Sequence, residues 1–203
     1  MLTYEKKIWN NGVNLIAGID EVGRGCLCGD VVAACVILNV NEEIIGVNDS
    51  KKLTPKKREE LFVIIQEKAI AIGIGRVDAK IVDEINIKQA TRLAMKKAVE
   101  CLDVRPEMLL IDAEEIESDI PQLAIIKGDQ KSQSIAAASI IAKVTRDRMC
   151  IEWDSQYPCY GIKHHKGYGT KLHIEMIQEN GTCQLHRKTF LGNILKQSQF
   201  NNK

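Results

Sequence analysis

Apolar runs separated by polar and glycine-rich stretches organise this chain, and several of those runs close on an acid. Residues 15–20 form a run that ends at Asp20 and predicts a buried strand. Residues 31–38 are a second, β-branched run, and the glycine-rich 23–29 between them reads as a tight loop, so the two strands make a hairpin-like pair. A partly alternating stretch over 69–77 predicts a third strand. Residues 108–111 predict a fourth, ending in Asp112, and 123–126 a fifth, ending in Lys127-Gly128-Asp129.

Helical periodicity fills the intervals. Thr54-Pro55 is a helix start with proline at the first helical position, continued by Leu61, Ile64, Ile65 and Lys68. Asp78 caps a short helix to Ile85, and a longer one over 87–102 carries Ala90, Leu93, Ala94 and Ala98 on one stripe. A helix over about 132–153 contains Ala136-Ala137-Ala138, small enough to lie close to a sheet. Residues 157–169 read as loop, 171–179 and 182–195 as helices, and 197–203 as a frayed end. This order predicts an α/β fold: a central mixed five-stranded sheet flanked by helices, with a helical C-terminal extension. The 203 residues suit a single domain, with an α/β core over about 15–155 and a helical C-terminal subdomain over about 156–196.

Charge narrows the function classes. With 28 basic against 27 acidic residues the net charge is +1, so the chain is no uniformly basic coater of nucleic acid, and any such contact must come from local patches. Candidates are Lys51-Lys52, Lys56-Lys57-Arg58, the basic stretch 163–166 and His186-Arg187-Lys188. The seven cysteines follow no secreted framework, and Cys26-x-Cys28 has no second pair at zinc spacing, so reduced thiols are expected. No apolar stretch approaches the ~20 residues of a membrane span, and a soluble, cytoplasmic protein without membrane contact is expected.

The acids carry the chemistry. Asp20-Glu21, Asp112 and Asp129 each stand at a strand end, and strand ends gather at one rim of an α/β sheet. Clustered carboxylates repel unless cations lie among them, and Mg²⁺ or Mn²⁺ suits hard oxygen ligands. Two such ions roughly 4 Å apart would serve an in-line phosphoryl displacement. Neighbours in a strand point to opposite faces, so Asp20 and Glu21 meet at one site only where the strand ends or bulges. Rival motifs fail: Gly18 to Gly23 has P-loop spacing, but Arg24-Gly25 replaces the required Lys and Ser/Thr. Gly73-Ile74-Gly75 lacks the third glycine of a dinucleotide fingerprint. His164, His165, His173 and His186 suggest no metal triad by spacing and read as surface residues or phosphate contacts.

Taken together, GIDEVGRG (18–25), NDSKKL (48–53), LID (110–112), KGD (127–129), AASIIAKVTRD (137–147) and HKGY (165–168) strongly resemble the bacterial ribonuclease HII family, over about 15–190. The resemblance implies a ribonuclease H-like fold and an endonuclease that cuts 5′ to a ribonucleotide in RNA·DNA hybrids or in DNA with embedded ribonucleotides. It implies a two-metal mechanism leaving 3′-hydroxyl and 5′-phosphate. The acidic quartet then falls on Asp20, Glu21, Asp112 and Asp129, with Mg²⁺ or Mn²⁺ as cofactor. Gly23, Arg24 and Gly25 match the segment that senses the 2′-hydroxyl, and Tyr168 the tyrosine that packs on the adjoining sugar. Ser50, Lys51, Ser139, Lys143 and Arg146 are expected phosphate contacts, the last three sharing a helix face, and Asp147 is expected to pair with nearby arginines. A monomer is the family-like state, and a sliding clamp is a compatible partner. Ribonuclease HIII, the close relative, carries an extra N-terminal domain for which the 17 residues before Gly18 leave no room. Cys26, Asp30 and Ala113 depart from the family's usual residues, at two prolines and a glycine.

Overall fold

The computed structural model describes residues 1–192, 194 and 195. The expected frayed end over 197–203 lies outside them. Five strands form one sheet: β1 (Ile16–Val22), β2 (Val31–Leu38), β3 (Ala69–Val77), β4 (Met108–Asp112) and β5 (Gln122–Ile125), in the order β3-β2-β1-β4-β5. The first three pair antiparallel, and β1-β4 and β4-β5 pair parallel. This is the mixed sheet expected from the pattern. Strand β2 is buried along its whole length, as an unbroken apolar run requires when both faces are covered.

The covers are helical. Among α1 (Thr3–Trp9), α2 (Pro55–Lys68), α3 (Ala79–Glu100), α4 (Gln133–Gln156), α5 (Ile162–His165) and α6 (Lys171–Asn180), the two long ones take opposite faces. Helix α3 packs Ala90, Ala94, Met95 and Ala98 on Ile19, Ala33 and Cys35, while α4 packs Ala136, Ala137 and Ile140 over Val32, Ala34 and Val36. Close approach needs small residues on both sides. A Cβ on Gly73 or Gly75 would stand 2.0 Å from the carbonyl oxygen of Ala98 or Ala94. Helix α3 is two helices across a kink at Asn86 (φ 66°), whose side chain caps the second by accepting from the Lys88 and Gln89 amides. That break lies where periodicity separated 78–85 from 87–102.

The expected loop over 157–169 contains a 3₁₀ turn, Pro158–Tyr160, and the short helix α5, and both chain ends differ from the pattern. The N-terminus folds as α1, placing the fully buried Glu5 to accept from the Ser132 hydroxyl and the Ser134 amide. A carboxylate thus caps the start of α4, where the helix dipole favours negative charge. The helix expected over 182–195 is not formed through 187; a 3₁₀ turn, Lys188–Phe190, follows, and helical backbone is described only at 192, 194 and 195. Its backbone is used elsewhere: Gly29 donates to Leu185 and Arg187 donates to Leu27, with a bridge between Cys28 and His186. The C-terminal segment is therefore stitched to the loop between β1 and β2.

Candidate active site

Asp20 and Glu21 lie within β1, and no bulge brings them together, since their register with Ala34 and Ala33 of β2 is continuous. Pairing with β4, however, stops at Ile19↔Ile111, so the β4 side of both acids is open, with Asp112 ending β4 next to it. Asp20 faces α4 and Glu21 the opposite face, and Asp112 bears on both. Asp129 follows β5 in the 3₁₀ turn Gly128–Gln130, whose first amide donates to Asp112 Oδ1 at 2.7 Å. That bond ties the third acid to the turn carrying the fourth.

Electrostatics mark the set as strained. Burial, then the Glu21 and Asp112 carboxylates, hold the Asp20 carboxyl well above its ordinary range. Burial also raises Glu21, against the lowering pull of Arg24. Asp129 is raised by burial and by Asp49 and Asp112. Divalent cations fit this donor set. Glu21 Oε2 is buried with no hydrogen-bond partner among the described residues, and hard carboxylate oxygens are what Mg²⁺ or Mn²⁺ takes. The four carboxylates would hold them.

A pH prediction follows. Because folded-state pKa values are raised, the native metal-free protein binds more protons than the unfolded chain just above pH ~4. These groups therefore lose stability as pH rises from the ordinary carboxylate range through their raised values. Added Mg²⁺ should raise the melting midpoint at pH 7.5 and lose this effect as pH falls toward ~4, where the carboxyls protonate. Scanning fluorimetry with chelator or Mg²⁺ reads this, and an Mg²⁺ effect independent of pH would refute it.

The other expected residues divide. Arg24, half exposed, reaches Glu21 Oε1 at 3.5 Å and Glu114 at 3.7 Å, tying the Gly23-Arg24-Gly25 loop to the acids. Gly23 is buried with φ 95°, where a Cβ would meet Arg146 Nε at 2.4 Å, and Gly25 is exposed with nothing near its Cβ position. Lys51 is exposed at the same rim. Its partial burial works against its charge, but Asp20, Asp49, Asp129 and Glu21 raise its pKa. Tyr168 is 39% exposed, its hydroxyl raised by burial and by the neighbouring Cys26.

Ser50 and Ser139 are buried instead of facing out. Their hydroxyls hydrogen-bond at 2.8 Å, and Ser139 also supports Asp20, so they brace a carboxylate. Lys143 is paired with Asp147 at 2.7 Å, so the expected Asp147–arginine pairing is replaced by a lysine one. Arg146 is a correction: it is fully buried, donating to the Asp30, Lys166 and Cys28 carbonyls. A guanidinium committed to backbone oxygens cannot meet a phosphate.

The histidines are corrected too. His165, His173 and His186 are buried. The Cys183 amide donates to His186 Nδ1 (3.0 Å), which leaves the His186 proton on Nε2 to bond His173 Nε2 (3.3 Å). His173 Nδ1 then donates to the Tyr168 carbonyl (3.0 Å), and burial lowers its pKa to about 4, keeping the chain neutral. This relay holds the Tyr168 loop. Cys28 Sγ lies within 4.8 Å of one ring nitrogen of each, but the histidine nitrogens are already committed to one another and to backbone. Sequence reasoning missed Asp49, which is buried and raises the Asp129 carboxyl, and Glu114, which bridges Arg24 and Arg92. The first stood inside the NDSKKL motif, and the second in the acidic stretch after Asp112.

A mixed five-stranded sheet with buried acids at its open rim is the architecture of the ribonuclease H nucleases. The structure is similar to that of ribonuclease H2 from Pyrococcus horikoshii (TM-score 0.76, 26% identity, 91% of this chain and 98% of that one). It is also similar to that of the ribonuclease HII in the PCNA complex from Archaeoglobus fulgidus (TM-score 0.72, 27% identity, 86% and 94%). A ribonuclease HII of Alkaliphilus metalliredigens is 57% identical over 201 residues, covering 96% of this chain and 98% of its own. The ribonuclease HII family profile matches residues 17–193, and the chain belongs to that family, making it a metal-dependent nuclease. No helix among the described residues is long and apolar enough to cross a membrane.

Proposed function

We propose that this protein hydrolyses the phosphodiester on the 5′ side of a ribonucleotide, in RNA·DNA hybrids and in DNA with embedded ribonucleotides. The observation that carries this reading is the contact of the glycine-flanked Arg24 with Glu21, which sets a backbone-rich loop beside the acidic cluster. The 2′-hydroxyl is the mark that separates RNA from DNA, and backbone donors read it without reading base sequence.

Asp20, Glu21, Asp112 and Asp129 would hold two divalent ions, Mg²⁺ or Mn²⁺. Bound there, such ions would supply an activated water for in-line attack and offset charge on the phosphate, which would leave 3′-hydroxyl and 5′-phosphate ends. The Gly23-Arg24-Gly25 loop contacts the 2′-hydroxyl, and Tyr168 packs on the adjoining sugar, its loop fixed by His173. Lys51 draws the phosphate to the rim, and Ser139 braces Asp20 against movement. A monomer suffices for this chemistry. A sliding clamp is a reasonable partner, since the Archaeoglobus fulgidus relative forms a complex with PCNA.

Four labelled substrates test the reading: an RNA·DNA hybrid, a duplex with one ribonucleotide, single-stranded RNA and all-DNA duplex, each with Mg²⁺ or Mn²⁺ titrated. Metal-dependent cutting of the first two alone is expected. Binding without turnover, or hydrolysis confined to a small phosphate ester, would overturn it.

A further inference from the structure

We infer that Arg187 is the positioning residue that turns the Gly25 amide outward to meet the ribose, a role that rests on the function proposed above. Arg187 is fully buried and spends its guanidinium on one loop. Nη1 donates to the Arg24 carbonyl (3.0 Å) and the Cys26 carbonyl (2.9 Å), while Nε and Nη2 donate to the Gly29 carbonyl (3.1 and 2.7 Å). No carboxylate pairs with it among the described residues, so the carbonyls of 24–29 are its charge compensation. Burial lowers its pKa to about 10, still far above neutrality, so the group stays charged.

Peptide geometry converts this grip into function. In a trans peptide the carbonyl and the following N–H point to opposite sides, and the chain contains no cis bond among its described residues. Drawing the Arg24 carbonyl inward therefore directs the Gly25 N–H outward. Gly25 is exposed, has open space at its Cβ position, and its amide has no acceptor among the described residues. Neighbouring amides are consumed: Cys26 donates to Gly23, Leu27 to Gly167 and Gly29 to Leu185. Arg146 holds the far side of the same loop through the Cys28 and Asp30 carbonyls, but donates no hydrogen bond to the Arg24 or Cys26 carbonyl. Arg187 is thus what fixes this free donor beside Arg24. A lysine keeps the charge yet presents its donors from a single atom, which cannot span three carbonyls.

The test compares the full-length wild type with Arg187→Lys and Arg187→Gln. It reads kcat and KM on a duplex with one ribonucleotide, and the inhibition constant of the matching all-DNA duplex. Loss of one aligned hydrogen bond in the transition state predicts a fall in kcat of about tenfold in both variants. The all-DNA inhibition constant should hold within about twofold, so preference for ribose shrinks. Equal weakening toward both duplexes, or unchanged preference, would show a merely structural role and overturn the inference. Should the variants not fold, hydrogen exchange of the wild type decides. The Gly25 amide should exchange freely alone and be protected by the ribonucleotide duplex but not by all-DNA. Protection in the free protein, or equal protection by both, overturns it. A wild type that cuts neither duplex brings down the proposed function and this inference together. One that cuts with ribose preference intact in the variants refutes only this inference.

Discussion

Asp20→Asn should abolish cleavage while making the metal-free protein more stable at neutral pH. The two effects share one cause. Asp20 is buried beside Glu21 and Asp112, so its negative charge is costly until cations share it. Asparagine keeps the oxygen that accepts from the Glu21 amide at 2.7 Å but carries no charge to hold a cation. Loss of several kcal/mol of transition-state stabilisation corresponds to a fall of roughly 10³-fold or more in kcat/KM. Each kcal/mol of removed repulsion should raise the melting midpoint by about 2–4 °C in a chain of this size. Melting curves in chelator and in Mg²⁺ separate the account from simple damage. The variant should melt higher than wild type in chelator and lose most of the Mg²⁺-induced rise. A variant that melts lower in chelator would mean that the carboxylate is held by partners and not strained.

Gly18→Ala should be one of the most destabilising single-methyl changes among the described residues. A Cβ there would stand 2.0 Å from the Ser134 carbonyl carbon and 2.3 Å from the Ile135 nitrogen, both backbone atoms of the first turn of α4. Backbone cannot rotate aside as a side-chain tip can, so β1 and α4 must part. Overpacking of this kind costs about 3 kcal/mol or more, a midpoint loss of roughly 6–12 °C. Activity should fall as well, because α4 carries Ser139 against Asp20. An unchanged midpoint would mean that helix and strand are not in such close contact.

Much of this was legible in the chain because the relevant signals are local. Each strand shows as an apolar run, and an acid closing such a run is conspicuous, so Asp20, Asp112 and Asp129 announce themselves. The break at Asn86 showed as a loss of helical phase, and its positive φ is a local property. What stayed hidden depends on partners distant in sequence. Arg146 has the helical spacing of a polar face, and only the fold reveals that the Asp30 and Cys28 carbonyls, 116 and 118 residues away, surround it. Residues 182–187 carry a pattern compatible with helix, but the Leu185 carbonyl and the Arg187 amide are claimed by the 27–29 loop. His173 and His186 lie 13 residues apart with no metal-like spacing, and their relay exists only once α6 meets the C-terminal segment. Asp49 showed no function by itself until the fold set it against Asp129.

Under the proposed function, the acids cut where the neighbouring loop finds ribose. This is tested most directly by mapping the cut in a duplex bearing one ribonucleotide, end-labelled on that strand, with Mg²⁺ or Mn²⁺ present. A single scission is expected on the 5′ side of the ribonucleotide, with a 3′-hydroxyl upstream and a 5′-phosphate on the ribonucleotide. Cutting on the 3′ side, cuts scattered through the deoxy tract, or a 2′,3′-cyclic phosphate end would contradict it.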